Sequence, residues 1–177
     1  MTPQDITHFW FEEIDGKQHW VKDPEFDQLI RDRFGAIHTA AIKGELSGWR
    51  ETADGRLAEI IILDQFSRNM FRDKPESFAY DGMSLVLAQE AVRVGADKEI
   101  SEDHRAFLYM PYMHSESTLV HVKAVELFET LPYNMEFELK HKAIIDRFGR
   151  YPHRNEILGR ESTAEEIEFL QGPDSSF

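Results

Sequence analysis

Apolar side chains recur along most of the chain at the spacing that places them on one face of an α-helix. In the first such stretch, Ile6, Phe9 and Trp10 follow a start signal made by Thr2 and Pro3. Threonine caps helix N-termini, and proline suits the first turn because its missing N–H needs no partner there. This stretch therefore predicts a helix close to the first residue.

Later stretches repeat this spacing, and none shows the period of two that is typical of a β-strand. The predicted helices run from Asp23 and Pro24 to a stop at Gly44, over 56–71 and 78–94, from Ser101 to a break near Pro111, over 116–130 and 135–148, and in a short last helix capped by Ser162 and Thr163. No linker rich in glycine, serine or proline divides the chain. The pattern predicts a single all-α domain over residues 1–177 with about seven to eight helices.

The composition agrees with a packed core. Hydrophobic residues make up 41% of the chain and aromatic residues 12%, which is typical of a folded domain. Trp20, in the predicted loop before the second helix, is expected to fill a gap in that core rather than to form a binding platform. The net charge of −13 argues against nucleic acid and anionic membranes as partners.

The chain contains no cysteine, which excludes disulfides, thiol catalysis and thiolate metal sites within it. Its first residues lack the basic and apolar regions of a signal peptide. The longest aliphatic run, residues 60–63, is far too short to cross a membrane. We therefore expect a cytoplasmic protein.

Polar side chains stand out first in the predicted third helix. Asp64, Gln65, Arg68 and Asn69 share a face that is apolar one or two turns earlier. Such a face suits the wall of a pocket. The alternative is a helix end that emerges into solvent, with Arg68 paired to Asp64.

A second polar segment lies at the break between two predicted helices, where His114 and Glu116 are close in sequence. Capping of the next helix explains Ser115 and Glu116 equally well, but it does not explain His114. Because loops often carry binding and catalytic residues, this segment is a second candidate.

A basic island forms the third segment, with Arg147, Arg150, His153, Arg154 and Asn155 at and beyond a helix end. Guanidinium groups this close repel one another unless carboxylates or a bound anion compensate. Arginine is the side chain best suited to bidentate contact with a carboxylate or a phosphate. The alternative is that these arginines pair with the many acidic residues of the chain.

The familiar catalytic and metal-binding patterns are mostly absent. The chain has no Gly-x-Ser-x-Gly elbow, no His-Glu-x-x-His sequence and no glycine-rich phosphate loop. Glu138 and His141 form one Glu-x-x-His pair, whereas carboxylate di-metal bundles need two. His141 also lies on an apolar stripe, which is more typical of a hydrogen-bonded core histidine than of a ligand. We predict no metal site, and no pattern identifies a cofactor.

Several strings of residues together resemble one known family. They are Trp10-Phe11, Leu63-Asp64-Gln65-Phe66-Ser67-Arg68-Asn69, His114-Ser115-Glu116 and Arg147-Phe148-Gly149-Arg150-Tyr151-Pro152-His153-Arg154-Asn155. The chain resembles the bacterial domain-of-unknown-function family 924 over almost its whole length, although Glu12 replaces a glycine that is common in the family's first motif. The resemblance implies antiparallel helical hairpins stacked in a tetratricopeptide-like right-handed superhelical array. It implies no reaction.

The leading hypothesis is a pocket for a small anionic ligand, a carboxylate or a phosphate, with acid–base catalysis as an extension. The residues assigned to proton transfer and its orientation are His114, Glu116, His153 and Asp64. Those assigned to ligand binding are Gln65, Arg68, Asn69, His141, Arg147, Arg150, Arg154 and Asn155. Two alternatives stay open: a tetratricopeptide-like module that binds a peptide or protein, and a purely structural ionic network.

Overall fold

The computed structural model describes residues 1–173 and 175, and these form an all-helical architecture without a strand. Within them we number eight helices: α1 (Pro3–His8, continued by a π-helical turn over Phe9–Glu13), α2 (Pro24–Ile42), α3, α4 (Asp81–Arg93), α5 (Glu102–Met113), α6 (Thr118–Phe128), α7 (Pro132–Phe148) and α8 (Ala164–Leu170). Helix α3 consists of Ala53–Ile61, a π-helical turn over Ile62–Phe66 and a last turn over Ser67–Met70. The all-α prediction is confirmed, and the superhelical array stays a prediction.

Local capping chemistry explains where several helices begin. Thr2 accepts a hydrogen bond from the backbone N–H of Asp5, and the Asp5 carboxylate accepts one from the N–H of Thr2 in return. Asp23 caps α2 with Pro24 in the first turn, as predicted. Of the two predicted caps of α8, only Thr163 caps the helix. Its hydroxyl accepts the backbone N–H of Glu166, and the carboxylate of Glu166 accepts the backbone N–H of Thr163.

Helix α3 lies at the centre of the core. Its residues Leu57, Ile60 to Leu63 and Phe66 are completely buried, and it packs against α1, α2, α4 and α5. Helix α4 packs against α5, α5 against α6, and α6 against α7. No helix of the described residues is long and apolar enough to cross a membrane.

The predicted break near Pro111 is wrong. Helix α5 continues through Pro111 and ends at Met113, so that His114 directly follows the helix. A proline inside a helix costs about 3 kcal/mol because one backbone hydrogen bond is lost. Burial of the apolar side chains around it, among them Leu108 and Met110, offsets that cost.

The prediction for Trp20 is also wrong, since 64% of its surface is exposed. Trp10 occupies the core position instead, and Trp20 stacks on the outer side of Phe107 with the ring centroids 6.0 Å apart. Four helix starts differ as well: α3 begins at Ala53, α4 at Asp81 and α7 at Pro132, and Ser117 rather than Ser115 caps α6.

The close contact between Gly55 and the preceding loop gives a test of the packing around α3. A β-carbon at Gly55 would lie 1.9 Å from the carbonyl oxygen of Trp49, so Gly55→Ala should lower the free energy of unfolding by about 1–3 kcal/mol. A β-carbon at Gly35, inside α2, would meet no atom within 4 Å. Gly35→Ala should therefore raise stability by roughly 0.5–1 kcal/mol. Urea denaturation measures both values, and a neutral Gly55→Ala would contradict this packing.

Candidate functional site

A cavity of about 670 Å³ lies between the end of α3, the end of α5, the first half of α7 and the loop that follows α7. The predicted site residues that line it are Gln65, Arg68, Asn69, His114, His141, His153 and Arg154. Its volume falls within the range of about 300–1,000 Å³ that is typical of small-molecule sites. The fold therefore brings parts of all three polar segments to one place.

Asp64 lies beneath this cavity in the π-helical turn of α3 and is completely buried. Its carboxylate contacts His114 Nδ1 at 2.8 Å, Gln65 Nε2 at 2.6 Å and Arg68 Nη1 at 3.0 Å. Burial by itself would raise the pKa of Asp64, but the charge of Arg68 and the contacts with His114 and Gln65 hold it below its ordinary value. Asp64 is therefore ionised at neutral pH.

The ionised Asp64 fixes the tautomer of His114. A carboxylate can only accept, so Nδ1–H of His114 donates to it and Nε2 carries the lone pair. Burial, and then the charge of Arg68, lowers the pKa of His114 despite the neighbouring carboxylate. His114 is neutral at neutral pH, and the pair has the arrangement of a general base with an orienting acid.

Two arginines share one carboxylate at the base of α4. Arg68 makes a bidentate contact with Asp81 at 2.9 and 3.0 Å, and Nη1 of Arg154 reaches the same carboxylate at 3.3 Å. Nη2 of Arg154 donates to the backbone oxygen of His114 at 3.0 Å. Asp81 thus ties α3 and the loop after α7 to α4.

The guanidinium of Arg154 lies between two aromatic rings, 4.5 Å from the centroid of Phe78 and 4.6 Å from that of Tyr151. Its side chain is only 7% exposed, and its Nε has no hydrogen-bond partner among the described residues. Unsatisfied buried donors are uncommon, and each is a candidate contact for a ligand or a bound water.

His141 and His153 are held in their neutral forms. Burial, and for His153 also the charge of Arg154, lowers the pKa of His141 to about 3 and that of His153 to about 4. His141 donates from Nδ1 to the backbone oxygen of Phe137 at 2.7 Å. Nδ1 of His153 is buried and has no partner among the described residues.

Glu116 and Asn155 hold the loop after α7 in place and do not line the main cavity. Glu116 accepts the backbone N–H of Tyr151 at 2.7 Å and a bidentate contact from Arg160 at 2.6 and 2.9 Å. Asn155 accepts from Nε of Arg160 and donates to Ser162. Glu116 also borders a smaller neighbouring cavity of about 290 Å³.

Arg147 and Arg150 lie outside both cavities, contrary to their predicted place in the site. Arg150 makes a bidentate contact with Glu166 at 2.7 and 2.8 Å, and Arg147 pairs with Glu165 at 2.8 Å. Both acids belong to the first turn of α8. These contacts join the end of α7 and the loop after it to the last helix.

Behind the cavity lies a buried polar pair, His121 and Glu138, which the sequence did not predict. Nδ1 of His121 contacts Glu138 at 2.7 Å, and both side chains are completely buried. Burial raises the pKa of Glu138. Tyr151, which lines the cavity, lies 3.2 Å from Nε2 of His121 and donates to the backbone oxygen of Met113. Glu138 is the first residue of the single Glu-x-x-His pair, but nothing in the sequence links it to His121.

No group of three or more histidine, aspartate or glutamate side chains among residues 1–173 and 175 is arranged to hold a metal ion.

Comparison with known proteins identifies the family. The model of the bacterial proteins of unknown function DUF924 matches residues 6–174, and the chain belongs to this family. It is similar to the solved structure of ATU0120 from Agrobacterium tumefaciens, a protein of unknown function, at 40% sequence identity and a TM-score of 0.92. That match covers 96% of this chain and 97% of the other. No curated protein matches the chain.

The depressed pKa values of His141 and His153 predict a loss of stability in weak acid. Their folded pKa values of about 3 and about 4 lie below the value of about 6.5 in the unfolded chain, so the unfolded state binds more protons in that window. The contribution of these histidines to the free energy of unfolding is therefore fully present above their pKa in the unfolded chain. It falls as the pH decreases, by roughly 1–2 kcal/mol per histidine between about pH 7 and about pH 5. Urea denaturation at the two pH values measures this loss. His153→Gln should reduce it, and an unchanged loss would contradict the assigned neutral state.

Proposed function

We propose that this protein binds a small molecule bearing an anionic group, a carboxylate or a phosphate, in the cavity between α3, α5 and α7. The observation that carries the proposal is Arg154, a nearly buried cation whose Nε lacks a partner among the described residues while its side chain lines a cavity of ligand size. An anion at Nε would form a charge-assisted hydrogen bond in a region of low dielectric constant.

The two arginines and the two carboxylates of this cluster balance each other in charge. Arg68 is matched by Asp64 and Asp81, and Arg154 shares Asp81. A bound anion therefore brings a negative charge that the resting site does not fully compensate. The three neutral histidines His114, His141 and His153 supply the missing compensation, since an adjacent anion favours the protonated form of each imidazole. Anion binding should be coupled to proton uptake.

The pair of Asp64 and His114 extends the proposal to acid–base chemistry. His114 lines the cavity, and its Nε2 is the basic nitrogen because Nδ1 donates to Asp64. A ligand that carries an acidic proton beside its anionic group could transfer that proton to Nε2, and Asp64 would stabilise the imidazolium that forms. This role requires no further group from the protein.

A peptide-binding module is the second candidate function. Trp20 and Tyr133 are exposed and line the cavity, as a site for an extended peptide would require. The polar groups deeper in the cavity support a small ligand instead, because Gln65, His141 and Arg154 are each less than one-tenth exposed. An extended backbone in a groove would not reach such groups without leaving its own N–H and C=O groups unpaired.

Titration calorimetry with sodium acetate, benzoate and inorganic phosphate tests the anion site. Arg154→Lys should weaken binding of the best probe roughly tenfold or more, because a charged hydrogen bond is worth about 1.5–3 kcal/mol. His153→Gln, at a side chain whose buried nitrogen has no partner, should weaken it without loss of folding. Arg147→Ala and Arg150→Ala are the matched controls and should leave binding unchanged.

The pH dependence distinguishes this site from a surface anion site. If one proton is taken up with the ligand, affinity rises up to about tenfold for each unit that the pH falls below neutrality. Calorimetry in two buffers with different ionisation enthalpies measures the proton uptake directly. Binding that is independent of pH and insensitive to Arg154→Lys and His153→Gln would refute the proposal.

A further inference from the structure

Aromatic side chains surround the opening of the cavity. Among the residues that the structure describes, the exposed aromatic side chains are Trp20 at 64%, Tyr133 at 79% and Phe137 at 41%, and all three line this cavity. Scattered exposed aliphatic residues occur elsewhere on the surface, as on any protein. Exposed aromatic residues gathered at one opening are instead a feature of binding sites.

The exposure of the lining residues changes with depth. Arg154 and His141 are each 6% exposed, whereas the aromatic residues of the rim are largely in contact with solvent. Met110 and Met113 line the cavity as well and are nearly buried. Their flexible thioether side chains adapt to apolar groups of irregular shape. The cavity therefore has a polar interior, apolar walls and an aromatic rim.

Contacts between aromatic rings position the rim, and one of them is made with the core. Trp20 stacks on Phe107, which is nearly buried, with an angle of 20° between the ring planes. On the other side, Tyr133 and Phe137 lie one turn apart on α7 with their ring centroids 5.9 Å apart. A rim built from packed rings loses little conformational entropy when a ligand binds.

From this arrangement we propose that the ligand is an amphipathic monocarboxylate, whose carboxylate lies against Arg154 and His153 and whose apolar part lies between Trp20 and Tyr133. This inference rests on the proposed anion site and specifies its ligand. A cavity of about 670 Å³ is much larger than acetate or inorganic phosphate, either of which would leave most of it to water.

The head group follows from the unpaired atoms. Among the described residues that line the cavity, two have a buried side-chain nitrogen without a hydrogen-bond partner. These nitrogens are Nε of Arg154 and Nδ1 of His153. Two contacts suit the two oxygens of a carboxylate, whereas a phosphate dianion would require more donors and more positive charge than the matched pairs around Arg68 leave available.

A series of straight-chain carboxylates from acetate to decanoate tests the apolar part by calorimetry on the intact protein. Each added methylene should raise the affinity roughly fourfold until the chain reaches the opening. Trp20→Ala and Tyr133→Ala should each weaken octanoate about tenfold and leave acetate unchanged. Leu119→Ala, at a residue that is 79% exposed and does not line the cavity, is the matched control and should change neither.

The outcomes separate this inference from the proposed function. Equal affinity for acetate and octanoate, or rim variants without effect on octanoate, overturns the amphipathic ligand and leaves the anion site standing. Octanol binding as tightly as octanoate overturns the anion site itself. Octyl phosphate binding more tightly than octanoate at the same pH overturns the carboxylate head group. Failure of every probe overturns both proposals.

Discussion

The buried carboxylate of Asp64 is the group on which the arrangement of the cavity depends. Removing a carboxylate from water costs several kcal/mol, and only close opposite charge and complete hydrogen bonding offset this cost. Arg68 supplies the charge, and His114 and Gln65 supply hydrogen bonds. Arg68 and Gln65 lie on α3, and His114 lies at the end of α5. Arg68 in turn holds Asp81 on α4, which also contacts Arg154. Along the series Asp64, Arg68, Asp81 and Arg154, each charged side chain neutralises the preceding one. These contacts position the polar interior of the cavity in the absence of a ligand.

The π-helical turn over Ile62–Phe66 explains how α3 serves both the core and the cavity. Before this turn the helix is buried on nearly all sides, and after it Arg68 and Asn69 face the cavity. A π turn adds one residue to a helical turn and therefore rotates everything that follows. Reasoning at 100° per residue placed Gln65, Arg68 and Asn69 on one face, and these three residues line the cavity. It could not show that Asp64 points beneath the cavity rather than into it.

Features set by neighbours in sequence were predictable, and features set by distant partners were not. The caps at Thr2 and Asp23 depend on residues within one turn, and the structure has them as predicted. Arg150 was assigned to the site from its spacing, yet its carboxylate partner is Glu166 on α8. Nothing in the sequence distinguishes Asp81, because acidic residues are common in the first turn of a helix. Its contacts with two arginines arise only when α3, α4 and the loop after α7 come together.

The charge balance also limits how an anion can be recognised. With a net charge of −13, the protein as a whole repels anions at long range, so attraction must come from a few groups at short distance. The carboxylates of Asp64 and Asp81 already occupy most of the arginine charge. In the proposed site, histidines kept neutral by burial would reconcile these facts, because they would add positive charge only when an anion is bound. Burial of an apolar part of the proposed ligand would then contribute affinity that this electrostatic balance does not provide.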